Sequence, residues 1–232
     1  MPTATEIDAA SRKSLIKGVV LQALLAALLF GASGDIKWIA GWLLLVVFLT
    51  AQVAAYLEMK RQPDLLVERS KVQPGTKSWD KLLVALIALV VPLLTWIIAA
   101  LDHRFGWTVR EHIAAIAAGF ALIVLGIRLM QRAIAVNRFF SATVRIQSDR
   151  AQTVVSSGPY AWVRHPGYAG LLGLTIGTPL ALGSRWALLP AALGVVVLFV
   201  RTALEDRTLQ AELAGYTDYA RRVRFRLVPC IW

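Results

Sequence analysis

The sequence predicts an all-α fold, a polytopic transmembrane helical bundle of about six membrane segments that ends in a C-terminal helical hairpin. Three observations lead there. Of 232 residues, 57% are apolar, and the mean hydropathy is +0.62, far from a soluble average. The apolar residues gather into long uncharged runs near the length that spans a bilayer. Basic residues fill alternate connectors, the pattern that sets membrane orientation.

The segments follow in order. Ile16–Phe30 is a short first span, and Gly31 to Asp35 (Gly-Ala-Ser-Gly-Asp) reads as a tight turn. Ile36–Leu57 is the second span, with Trp38 and Trp42 as interface anchors. Glu58–Lys81 is a polar connector and reads mainly as a solvated basic loop. Pro63 opens a short helix in it, with Leu65, Leu66 and Val67 toward the membrane and Glu68 and Arg69 in water. Pro74-Gly75 signals a turn. Leu82–Leu101 is the third span, and Pro92 predicts a kink in it. His103 and His112 read as interface residues at the next turn. Ile113–Val136 is the fourth span. Arg132 near its end snorkels, and the deeper Arg128 is expected to face a buried acid such as Glu205. Asn137–Ser157 is a polar loop or short helix. Gly167–Leu182 and Trp186–Leu204 form the last hairpin, and Gly170, Gly173 and Gly177 make a small-residue stripe for close helix packing.

One domain is expected, with four membrane helices in 1–136 and the remaining elements in 137–232. The net charge of +11 fits loops facing anionic lipid better than nucleic acid. Arg12, Lys13 and Lys17, then Lys60, Arg61, Arg69, Lys71, Lys77 and Lys81, then Arg138, Arg145, Arg150 and Arg164 mark one face. By the positive-inside rule both termini lie on that cytoplasmic face. Cys230 is the single cysteine, so no intrachain disulfide or cysteine metal cluster is available. No metal site is expected. No dinucleotide fingerprint, P-loop or nucleophile elbow occurs.

The densest chemistry is the run from Gly158 to Gly170 (Gly-Pro-Tyr-Ala-Trp-Val-Arg-His-Pro-Gly-Tyr-Ala-Gly). Pro166 biases His165 away from helix, so His165 sits at a break. Such a break at a membrane edge persists where it is buried in protein or lines a cavity. An interfacial anchor, with Trp162 at headgroup level and Arg164 snorkelling, is the plainer reading. It does not account for His-Pro and Gly-Tyr-Ala-Gly in one turn.

Arg164 to Gly170 resembles the R-H-P-x-Y-x-G signature of the isoprenylcysteine carboxyl methyltransferase family. A second block, Arg201 to Leu209 followed by Tyr216, Tyr219, Val223 and Pro229, is similar to that family's ending. The resemblance runs from about Gln147 to Pro229. It implies a cytoplasmic-face cofactor pocket and S-adenosyl-L-methionine as cofactor. By the same resemblance the cofactor-contacting residues are Gln147, Gln152, Thr153, Val154, Val155, Tyr160, His165, Pro166, Gly167, Tyr168, Gly170 and Glu205. Arg201 matches the residue that holds the methyl acceptor, so Arg201 and Glu205 are the catalytic candidates. By themselves these two, four apart at the end of an apolar helix, read as a structural ion pair. Asp206 reads as structural, Tyr216 and Tyr219 as packing residues, and Arg221, Arg222, Arg224 and Arg226 as lipid-headgroup contacts.

The expectation is a bacterial-type enzyme of the inner membrane. It would methylate a lipophilic or prenylated acceptor from the bilayer, with membrane lipids as its surroundings and no nucleic acid. Acceptor identity and oligomeric state stay open. Two rivals stand beside it: an NADPH-dependent membrane reductase of sterol-reductase-like architecture, and a non-catalytic membrane protein with a degenerate site.

Overall fold

The computed structural model describes residues 3–70, 72–109 and 112–232, and every regular element among them is helical. Lys71, counted above among the basic residues of the second connector, lies outside the described residues. Helix α1 (Ala4–Ser33) starts on a capping box between Thr3 and Glu6 and ends at Gly34, whose φ of 66° supplies the left-handed cap. It thus runs through most of the turn expected after Phe30. Helix α2 (Ile39–Lys60) returns alongside it. The short α3 (Pro63–Arg69) begins at its proline as expected.

The third span is one continuous helical rod, α4 (Ser78–Ala85), a π-helical turn (Leu86–Val90) and α5 (Val91–Phe105). The π-turn lies just before Pro92. A proline ring has no N–H and crowds the carbonyl four residues back, and a wider turn there relieves both effects. The predicted distortion is therefore a π-bulge. After α6 (Ile113–Val136) comes a long irregular segment, then α7 (Pro166–Ala181), α8 (Leu188–Glu212) and the short α9 (Tyr216–Arg222).

Five helices among the described residues are long and apolar enough to cross a membrane. The expected sixth, α7, has 16 residues and spans about 24 Å at 1.5 Å per residue. It packs in the bundle instead of standing as a full-length span. Outward-facing Leu24, Val46, Leu125 and Val196 are exposed, as lipid-facing positions should be. The core is built from Leu29, Leu44, Trp96, Ile123 and Ala181.

The tightest junction is α6 against α7. A Cβ placed on Gly126 would sit 2.4 Å from the Gly170 carbonyl oxygen, and one on Gly170 would sit 2.4 Å from the Gly126 carbonyl. Gly119 and Gly177 make the same approach further along. Close backbone contact through small residues is a major source of helix association in lipid, where no hydrophobic force favours it. At the far end, Asp102 accepts from Thr108 N and Oγ1, both at 2.7 Å, and from the Ser184 hydroxyl. His103 stacks on Trp38 and bonds Asp35.

Three expectations fail here. Arg128 is exposed and does not meet Glu205, because it lies on the side of α6 opposite the packed Gly126. Leu65 and Leu66 of α3 are buried in protein, and Glu68 is buried rather than in water. Arg226 does not reach out to headgroups but turns inward to Asp206.

Gly126→Ala should lower the thermal midpoint in detergent, with overpacking costing about 1–3 kcal/mol. Gly31→Ala is the control, since nothing lies within 4 Å of a Cβ there. Differential scanning fluorimetry of both variants checks this.

Candidate active site

Where α6 ends, Asn137 turns the chain into an irregular segment that walls a pocket at one end of the bundle. The pocket holds about 840 Å³ of empty space, counting its open part. Gln147 is buried and knits the wall. Its Nε2 donates to the Phe139 carbonyl at 2.8 Å, and its backbone N–H donates to Gln152 Oε1 at 2.7 Å. The chain then runs extended through Thr153, Val154 and Val155. The backbone N–H groups of these three residues donate to no other group among the described residues. They form an open edge along the pocket.

The wall is braced from outside by the second connector. Buried Arg145 forks onto Glu68 at 2.9 and 2.7 Å and reaches Asp149 at 2.7 Å. Those carboxylates, Glu68 first, hold the Arg145 guanidinium above its ordinary proton affinity. Asn137 Nδ2 donates to the Tyr160 hydroxyl at 2.8 Å, and Tyr219 donates to the Tyr160 carbonyl at 2.7 Å. Burial pushes the Tyr160, Tyr216 and Tyr219 phenols up, so all three are neutral at working pH.

His165 sits at the break its proline predicts, immediately before α7, with φ −126° and ψ 63°. The tail runs beside it: Arg164 N–H donates to the Phe225 carbonyl and His165 N–H to the Arg226 carbonyl, both at 2.9 Å. Asp206, with no exposed surface, joins these parts. It accepts from Arg164 Nε and Nη2 at 2.7 and 2.9 Å, from Tyr216 at 3.0 Å, from Arg226 at 3.0 Å and from Gln210 at 2.9 Å. His165 Nε2 lies 3.2 Å from the same carboxylate. Arg164 therefore does not snorkel. It is the buried partner of Asp206, and its Nη1 also donates to the carbonyls of Val223 and Arg224.

On α8, Glu205 accepts a short hydrogen bond from the Tyr168 hydroxyl. Arg201 does not pair with Glu205. Its Nε and Nη2 are taken by Asp80 at 2.7 and 3.2 Å, and Nη2 also donates to the Ala142 carbonyl at 2.9 Å. Asp80, fully buried, further accepts from Val144 N at 2.7 Å. The Arg201 guanidinium lies 5.0 Å from the centre of the Tyr168 ring.

Ten of the residues singled out from sequence line this one pocket: Gln147, Gln152, Thr153, Val154, Val155, Tyr160, His165, Gly167, Tyr168 and Glu205. Pro166, Gly170 and Arg201 do not. Pro166 is buried as the first residue of α7, and Gly170 is spent on the contact with α6. Arg201 lies against the Tyr168 ring. Sequence reasoning missed Asp80, Asp206 and the Glu68–Arg145 pair as organisers. The available signal for Asp80 was a carboxylate at the mouth of an apolar span, where it needs a buried partner.

Asp206→Ala should cost about 3–5 kcal/mol, because Arg164 would be left buried without its counter-ion. A lowered unfolding midpoint and faster tryptic cleavage of residues 223–232 are the expected readouts.

The sequence matches the Isoprenylcysteine carboxyl methyltransferase (ICMT) family over residues 116–211. It is 30% identical over 160 residues to the protein-S-isoprenylcysteine O-methyltransferase of Rattus norvegicus, covering 65% of this chain and 55% of that protein. It is 28% identical over 160 residues to the Homo sapiens protein of the same name, with the same coverage. Against protein-S-isoprenylcysteine O-methyltransferase B of Arabidopsis thaliana the figure is 31% over 108 residues, 45% of this chain and 55% of that one. The chain thus spans about half the length of these relatives. The matched region carries α6, the pocket wall, the His165 turn and the Glu205 helix, so the similarity to the isoprenylcysteine carboxyl methyltransferase family falls on the part of the chain that builds the pocket.

Proposed function

We propose that this chain is an S-adenosylmethionine-dependent methyltransferase that acts on a lipophilic acceptor, an isoprenylcysteine-like carboxylate by analogy with its named relatives. The carrying observation is the convergence of two sequence blocks, the run around His165 and the one around Glu205, on one pocket at the polar end of the bundle. The residues present fit the cofactor. The open backbone edge at Thr153–Val155 offers unused donors to adenine ring nitrogens or to carboxylate oxygens. Glu205 accepts from an ammonium or a ribose hydroxyl. His165, with Nε2 on Asp206, keeps Nδ1 free of protein partners among the described residues. Bound there, S-adenosylmethionine would supply a methyl group activated by its sulfonium centre.

A second cavity supports the lipophilic acceptor. It lies among α1, α2, α5, α6, α7 and α8 and is lined by Leu25, Phe48, Trp96, Ile127 and Leu174. It holds about 1660 Å³ of empty space, again counting its open part. Ile87 and Leu171 line it and also pack with Tyr168, which lines the polar pocket. Tyr168 therefore stands between a polar chamber and an apolar one. A carboxylate acceptor is already nucleophilic and needs alignment rather than a base. The basic connectors at this end fit a cytoplasmic location for the site.

Calorimetry with S-adenosylhomocysteine, with NADPH run in parallel, tests the reading. Micromolar binding of the adenosyl compound is expected, weakened at least tenfold (~1.4 kcal/mol) in Glu205→Ala. Binding of NADPH instead would replace the proposal by the reductase reading.

A further inference from the structure

An anionic acceptor at Tyr168 meets a charge problem. Arg201 was expected to grip it with a guanidinium fork. That fork is already taken: Asp80 and the Ala142 carbonyl occupy Nε and Nη2, which leaves Nη1. Asp80 also cancels the Arg201 charge, and Glu205 adds a second negative group on the Tyr168 hydroxyl. One positive and two negative groups are a poor receptor for a carboxylate.

The missing positive charge is close by. Arg69, the last residue of α3, is half-buried and donates through Nη1 to the Phe140 carbonyl at 3.1 Å. Its guanidinium lies 5.5 Å from the centre of the Phe140 ring, and that ring touches Gly167 in the pocket wall. Arg201 holds the carbonyl of Ala142, two residues further on. The two guanidiniums thus grip one short stretch of wall. Arg69 has no ion-pair partner among the described residues. Burial, and then repulsion from Arg201, push its proton affinity down. A half-buried cation near another cation, without a counter-ion among the described residues, is in the state that a bound anion relieves.

We propose that Arg69 is a second anion-holding residue of the acceptor site, and that with Nη1 of Arg201 it selects acceptors carrying a carboxylate over neutral ones. This rests on the methyltransferase reading above. It also gives the second connector a part in acceptor recognition beyond bracing the wall through Glu68.

The test uses the full chain in detergent, saturated with S-adenosylhomocysteine. N-acetyl-S-farnesylcysteine and its neutral carboxamide are titrated by calorimetry. The wild type should bind the acid at least tenfold more tightly than the amide. Arg69→Gln should bring the two within threefold, Arg69→Lys should keep most of the preference, and the affinity for S-adenosylhomocysteine should not change in either. A wild type without preference for the acid, read with no variant at all, overturns the proposal. So does an Arg69→Gln protein that keeps the wild-type ratio, which would make Arg69 a prop for Phe140. Failure of S-adenosylhomocysteine to bind the wild type instead overturns the methyltransferase reading, and this proposal with it.

Discussion

A single buried carboxylate, Asp206, organises the polar end of this bundle. An unpaired charge with no exposed surface would be prohibitively costly, so the chain must bring partners to it. It brings Arg164 and His165 from the turn before α7, Tyr216 from α9 and Arg226 from the tail. Those groups belong to three separate segments. Satisfying one carboxylate therefore fixes the His165 turn, closes the tail over it and sets the pocket floor. Glu205, the preceding residue on α8, is then presented to the pocket and to Tyr168.

A second buried carboxylate repeats the device on the other side of Tyr168. Asp80 ties α4 to Arg201 of α8 and to the backbone at Val144. Between the two, Tyr168 has its ring against Arg201 and its hydroxyl on Glu205. The glycine contact of α6 with α7 sets how near this tyrosine comes to the pocket wall. Gly170 lies only two residues beyond it. A stripe that looks like membrane packing thus also sets the dimensions of the site.

Much of this was legible in the sequence because the signals were local. Apolar runs gave the helices, Pro166 gave the break at His165, and the spacing of Gly170, Gly173 and Gly177 gave a close-packing face on α7, though not that α6 covers it. What was not legible depended on distant partners. Arg164 beside Trp162 looks like an interfacial cation until Asp206, on another helix, is placed against it. Arg201 and Glu205 look like an ion pair at helical spacing until Asp80 proves the better-placed partner. Leu65 and Leu66 look membrane-facing until α3 is laid against α1 and α2, where both are buried. Hydropathy likewise counts α7 as a span, although its 16 residues fall short of the other long helices.

The central claim is that a polar donor chamber and an apolar acceptor cavity meet at Tyr168. Transfer of label from S-adenosylmethionine carrying a tritiated methyl group to N-acetyl-S-farnesylcysteine, by the protein in lipid bilayers, tests it most directly. The account predicts organic-extractable label that mild alkali releases as volatile methanol, the signature of a methyl ester. Label that never leaves the aqueous cofactor, in protein shown to bind S-adenosylhomocysteine, would contradict it.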